Sequence, residues 1–203
     1  MSMIFDTHAH YDDEAFNEGR EDLLSGLSDN GVGTVVNAGA SLRSLPRVLS
    51  LAGRYDFIYG MAGLHPCETY ASGDNTGKPV MYLTDLDGRN IAQKQECRIL
   101  RDVLDRYDAN EIITPGWTAL EREADVIEAM LASDRIKAVG EIGLDYHYDD
   151  TRKDIQKDWL ARQIAVARKH SLPIVIHSRD AAADTLDMII SEKARDCGGI
   201  IHC

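Results

Sequence analysis

The chain has 203 residues, 44% hydrophobic and 28% charged, which fits one folded domain and excludes a disulfide-stapled miniature, a collagen-like repeat or a wholly disordered polypeptide. Its 22 Lys and Arg against 34 Asp and Glu leave a net charge of −12, a field that repels polyanions and argues against a general nucleic-acid-coating role. An anionic substrate held in a small site stays open, because bound metal cations can supply positive charge locally.

In chain order, a β-rich apolar run at Met3–His8 is followed by a helical pattern at Arg20–Ser28, a strand at Thr34–Asn37, a helix at Leu45–Ala52 and a strand at Ile58–Gly63. The next stretch is too long for a single connection and helix. It holds the turn-rich Ser72–Gly77, the apolar run Val80–Leu83, the turn Asp87-Gly88 and helical patterns at Glu96–Tyr107 and Thr118–Leu131, and reads as an elaborated insertion at about 67–136. Beyond it come a strand at Lys137–Ile142, a helix at Ile155–Lys169 with Ile155, Leu160, Ile164 and Ala167 on one face, and a strand at Pro173–His177. A helix at Ala181–Lys193, with Asp180 as its N-cap and Gly198-Gly199 as its exit, leads into a last strand at Gly199–His202. This alternation predicts βαβ units around a parallel sheet in one domain over 1–203. No apolar run approaches the roughly 20 residues that span a bilayer, and Phe5 runs straight into Asp6, His8 and His10, so no membrane segment or signal peptide is expected. Cys67, Cys97, Cys197 and Cys203 form no C-x-x-C pair, and reduced thiols in a cytoplasm are the expectation.

Five of the seven histidines, His8, His10, His65, His177 and His202, fall at or just past the C-terminal end of an expected strand. In a parallel α/β sheet those ends converge on one face, so the imidazoles should cluster, and the cheapest chemical reason to gather them with a carboxylate is a divalent cation. His8 and His10 are two apart on extended backbone and face the same side, where both can grip one ion. Glu141, flanked by Gly140 and Gly143 in an otherwise apolar strand, needs a partner if buried. A ligand shared by two metals explains it better than an ion pair with Arg. Arg179, two residues past His177, suits a clamp for phosphate or carboxylate, with a structural ion pair equally open. His65 is open as a ligand, a substrate contact or a loop histidine, with substrate contact favoured. His170 reads as a helix-dipole cap, His147 with Tyr146 and Tyr148 as a loop rim, Trp117 and Trp159 as packing, and Cys203 as a core thiol.

Asp6-Thr7-His8-Ala9-His10, Gly63-Leu64-His65-Pro66, Gly140-Glu141-Ile142-Gly143-Leu144-Asp145-Tyr146, Pro173-Ile174-Val175-Ile176-His177-Ser178-Arg179 and Ile201-His202-Cys203 occur in the order seen in the TatD family of metal-dependent hydrolases, which the chain resembles along its length apart from Cys67–Ile136. The resemblance implies a TIM-type (β/α) barrel of the amidohydrolase superfamily and a centre of two divalent ions, zinc, magnesium or manganese. It implies phosphodiester hydrolysis, often of DNA, with metal-activated water. By the same resemblance His8, His10 and Glu141 hold one metal, Glu141, His177 and His202 hold the second, and His65 and Arg179 lie in the substrate pocket. The family also supplies a metal-binding Asp at the end of its last strand, beyond Cys203, so an incomplete barrel of about six of eight strands, open at its first and sixth strands, is expected. The rival readings are another amidohydrolase acting on amides, lactones or phosphotriesters, and an inactive truncated metal-binding fragment. DNA or a small phosphoester is the expected partner, with no membrane and no obligate protein partner.

Overall fold

A computed structural model describes residues 3–69, 86–87, 117–148 and 152–202, with side chains of its third long helix described from residue 124 onward. The expected elements Ser72–Gly77, Val80–Leu83 and Glu96–Tyr107, and the side chains of Trp117, Cys97 and Cys203, lie outside the described residues.

Six strands, β1 (Ile4–Ala9), β2 (Val32–Ala38), β3 (Ile58–Ala62), β4 (Ile136–Asp145), β5 (Ile174–Arg179) and β6 (Gly199–His202), form one sheet in sequential order. Every neighbouring pair is parallel. A doubly wound sheet reverses its order at a switch point; here each strand lies beside its successor, so the sheet curls as a half-barrel with all C-terminal ends on one rim. The connections carry α1 (Arg20–Gly26), α2 (Leu45–Arg54), α3 (Trp117–Met130), α4 (Lys153–His170) and α5 (Ala182–Ser191).

Side-chain alternation decides which face the helices cover. Val35 of β2 packs with Leu24, Leu27, Leu51 and Ile58, whereas its neighbour Val36 packs with Ala38, Met61, Ala138 and Val175 on the opposite face. Val126, Ile127 and Met130 of α3 lock onto Leu45, Val48 and Trp159, and Leu160, Ile164 and Ala167 of α4 seal Val139, Ile142, Leu144, Ile174 and Ile176. The C-terminal part of the expected insertion is therefore an outer-layer helix, packed on the sheet between β3 and β4.

Two expectations are corrected. Strand β4 runs three residues past Ile142, because pairing with β5 continues through Gly143, Leu144 and Asp145 despite the low strand propensity of glycine. Asp180 is not an N-cap: it turns the chain at φ 52°, its carboxylate lies 3.2 Å from His147 Nδ1, and α5 starts after Ala181 with no side-chain cap. Aspartate tolerates the left-handed region that this tight turn needs, and adopting it aims the carboxylate away from the helix amides. On the two outermost strands of the sheet and just before the first, Met3, Ile4 and Phe5 and then Ile200 and Ile201 are exposed. Among the described residues no helix is long and apolar enough to cross a membrane.

The core assignment has a direct test in urea unfolding. Leu160, fully buried, should cost about 2–5 kcal/mol when truncated to Ala. Leu186, 57% exposed, should stay within about 0.5 kcal/mol in the same exchange.

Candidate metal centre

The pairing of β4 with β5 shifts register between Val139 and Ile142, and Glu141 sits in that irregularity. Such a break re-aims a side chain. Its backbone N–H donates to Gly39 O at 2.9 Å, and its carboxylate is buried at the rim. The two oxygens divide the histidines. Oε2 lies 3.3 Å from His8 Nε2 and 3.4 Å from His10 Nε2, while Oε1 lies 2.7 Å from His202 Nε2, 3.2 Å from His177 Nδ1 and 3.8 Å from His65 Nε2.

Local bonds place each imidazole. Just past β1, Asn37 accepts the Tyr11 N–H at 2.6 Å and donates to Asp12 Oδ1 at 2.6 Å, fixing the chain behind His10. His65 is held by its own N–H to Ala40 O at 2.8 Å. Buried Gln163 of α4 clamps Leu64, accepting its N–H at 2.7 Å and donating to its carbonyl at 3.2 Å. Cys67 N–H donates to His65 Nδ1 at 3.1 Å, so the proton of a neutral His65 resides on Nε2, which faces the site as a donor. His177 and His202 are paired across β5 and β6, and the His8 and His202 rings lie 4.0 Å apart between centroids.

Burial alone would raise the Glu141 pKa, but the imidazoles of His10, His177 and His8 set against its oxygens hold it well below the usual carboxylate range. The Glu141 carboxylate raises His10 against the cost of burial. For His177, burial opposes ionisation but Glu141 and then Asp145 outweigh it, so its pKa is raised. Burial dominates elsewhere: it lowers His65 to about 4 and, with His8 nearby, lowers His202.

This donor set fits a divalent cation. Among the described residues two buried imidazole nitrogens, His8 Nδ1 and His202 Nε2, have no hydrogen-bond partner, the second despite lying 2.7 Å from Glu141 Oε1. Ligand atoms of His8, Glu141 and His202 converge within 4.8 Å, as do those of His65, Glu141 and His177. His202 thus sits with His8 as well as with His177, a grouping that cuts across the family-implied division into two triplets. Cation binding must displace protons from His10 and His177, whose pKa values lie above the ordinary 6.5. Zinc affinity measured by calorimetry should therefore fall as the pH drops through and below neutrality, with protons released on binding.

Arg179 ends β5 with its guanidinium 5.8 Å from the Tyr148 ring centroid, and among the described residues no carboxylate pairs with it. Tyr148 stays exposed at the rim, but Tyr146 does not line it. Its hydroxyl donates to Asp184 Oδ2 at 2.7 Å, which ties it to the outer layer. His170 Nε2 hydrogen-bonds to Glu128 Oε1 at 2.9 Å instead of serving only the helix dipole, and Trp159 is core.

Sequence reasoning quoted Asp145 within a motif but gave it no role, and it missed Cys67. Asp145 Oδ2 lies 3.1 Å from His177 Nε2 and 3.6 Å from Cys67 Sγ. Burial and then Asp145 push the Cys67 thiol up to about 11, so it is a neutral S–H donor at ordinary pH. The signal available was the spacing of Asp145 four residues after Glu141 on one rim-bound strand.

Gly143 sets the distance between β4 and β5. At φ 147° a Cβ there would stand 1.9 Å from His177 O. Gly143→Ala should destabilise the fold by more than about 1 kcal/mol and weaken zinc binding by displacing His177, measured by urea unfolding and calorimetry on the same preparation.

The profile of a family described as TatD related DNase matches residues 5–203. An "Uncharacterized metal-dependent hydrolase YabD" of Bacillus subtilis (strain 168) is 30% identical over 201 residues, covering 99% of this chain and 60% of the relative. A "3'-5' ssDNA/RNA exonuclease TatD" of Pectobacterium carotovorum is 21% identical, covering 98% of this chain and 59% of the relative. The crystal structure of YjjV, a TatD homologue from Escherichia coli K12, superposes with a TM-score of 0.62 at 24% identity, over 98% of this chain and 59% of that one. The chain thus spans about 60% of the length of these curated relatives.

Proposed function

The chain belongs to the TatD-related DNase family, and from that premise we propose that it carries the metal centre of a hydrolase that cleaves phosphodiester bonds in single-stranded nucleic acid. The observation that carries this reading is the division of the Glu141 oxygens, one toward His8 and His10 and the other toward His177 and His202. A carboxylate presented this way suits a bridge between two cations. His8 and His10 would hold the first with Oε2, and His177 and His202 the second with Oε1. Divalent cations bound there would supply a lowered pKa for water and charge neutralisation at the phosphoryl oxygens.

The remaining steps belong to the chain's own residues. His65 is kept neutral by burial and donates from Nε2, so it is suited to a phosphoryl oxygen rather than to taking up a proton. Arg179, with no carboxylate partner among the described residues, offers forked donors to an adjacent phosphate. A net charge of −12 makes such local positive contacts necessary for a polyanionic substrate. The relative named a 3'-5' ssDNA/RNA exonuclease supports a single strand as the substrate class.

Zinc titration of the wild-type chain and of Glu141→Ala, followed by a panel of single-stranded oligonucleotide, lactone and amide substrates, tests this. Zinc affinity should fall by more than about a hundredfold in the variant, and metal-stimulated cleavage should be confined to the oligonucleotide. Undiminished zinc binding in Glu141→Ala, or cleavage of the lactone or amide alone, contradicts the reading.

A further inference from the structure

Asp145 stands just behind His177 at the end of β4. It is buried, and its position is overdetermined: Gln156 of α4 accepts its N–H at 2.9 Å and donates to its carbonyl at 3.1 Å. The carboxylate oxygens have separate duties. Oδ1 accepts the His147 N–H at 3.0 Å, and Oδ2 faces His177 Nε2 at 3.1 Å with the Cys67 thiol at 3.6 Å.

A carboxylate only accepts, so Nε2 of His177 must carry the proton in that contact. The other ring nitrogen, Nδ1, is the one that faces Glu141 Oε1, at 3.2 Å. We propose that Asp145 is the positioning residue of the centre: by accepting the His177 Nε2 proton it fixes the tautomer and ring plane that deliver Nδ1 as the cation ligand, with the Cys67 thiol and the His147 amide holding the carboxylate in place. This rests on the metal-centre reading above and adds a ligand atom to it. Carboxylates that accept the distal proton of a ligating imidazole orient the ring and raise its basicity.

Another use of the same residues is weaker. Ligand atoms of His65, Cys67 and Asp145 lie within 4.8 Å of one another, a set that could hold a thiophilic ion directly. Against it, His65 Nδ1 is engaged by the Cys67 amide and both Asp145 oxygens are in use.

Asn at position 145 makes the test sharp. Its Oδ1 can still accept from the His147 amide, which turns its NH2 toward His177 and reverses the polarity of that contact. Imidazole 15N spectra of the metal-free chain, recorded where His177 is neutral, should show the proton on Nε2 in the wild type and on Nδ1 in Asp145→Asn. Zinc calorimetry should show a loss of about 10–100-fold in Asp145→Asn and a smaller loss in Cys67→Ser, whose hydroxyl still donates to Asp145. An Nδ1 proton in the wild type, an unaltered tautomer in Asp145→Asn, or a loss in Cys67→Ser as large as in Asp145→Asn overturns the proposal. The wild-type tautomer decides even if the variant fails to fold. If wild-type chain with the Nε2 proton binds no zinc at all, the metal-centre reading fails while the Asp145–His177 contact stands.

Discussion

The structure depends on a carboxylate, Glu141, that is 3% exposed and sits among five imidazoles. An isolated buried carboxylate would shed its charge by taking a proton; this one stays ionised because histidine nitrogens from four other segments point at it. The arrangement costs the fold something in return. Five imidazoles packed at 4.0 to 5.5 Å ring spacings repel one another when protonated, which is part of why His65 and His202 are pushed toward neutrality while His10 and His177 are pulled toward charge. Two cations would resolve that conflict more fully than any proton distribution, since they would take lone pairs from His8, His10, His177 and His202 while His65 stays neutral.

What makes such a cluster possible is the curl of a sheet whose strands follow one another in order, so that side chains nearly two hundred residues apart in sequence share one rim. The outer helices do more than cover apolar surface. Gln163 and Gln156 of α4, both buried, reach past the core to grip the backbone at Leu64 and at Asp145, one beside His65 and the other behind His177. Helix α4 thereby sets the position of two rim segments at the same time. Gly143 keeps β4 close enough to β5 for Asp145 to reach the His177 ring.

Much of this was legible from residues alone. All six strands and the four regular helices outside the insertion were placed within a few residues, because apolar periodicity and glycine punctuation agree along those segments. The histidines stood out since strand ends in a parallel sheet share an edge. What escaped was of another kind. Gln156 and Gln163 look like polar helix positions that belong in solvent, and only the tertiary structure shows each forming paired bonds to one residue's backbone. Asp145 was hidden behind the ligand it orients, and Asp180 had the spacing of a cap but the backbone of a turn. Which histidines share a side of Glu141 also depends on sheet curvature, a property no local spacing encodes, and the closeness of His8 to His202 follows from it.

The division of labour between the two Glu141 oxygens is the claim with the widest consequences, as it governs how many cations the rim holds and where an anionic substrate is drawn in on an otherwise acidic molecule. The most direct measurement is a crystal structure of zinc-loaded chain with anomalous scattering collected at the zinc edge. Two peaks about 3.5–4 Å apart, one bound by Oε2 with His8 and His10 and the other by Oε1 with His177 and His202, are the expected result; a single peak, or any zinc that leaves Glu141 uncoordinated, contradicts it.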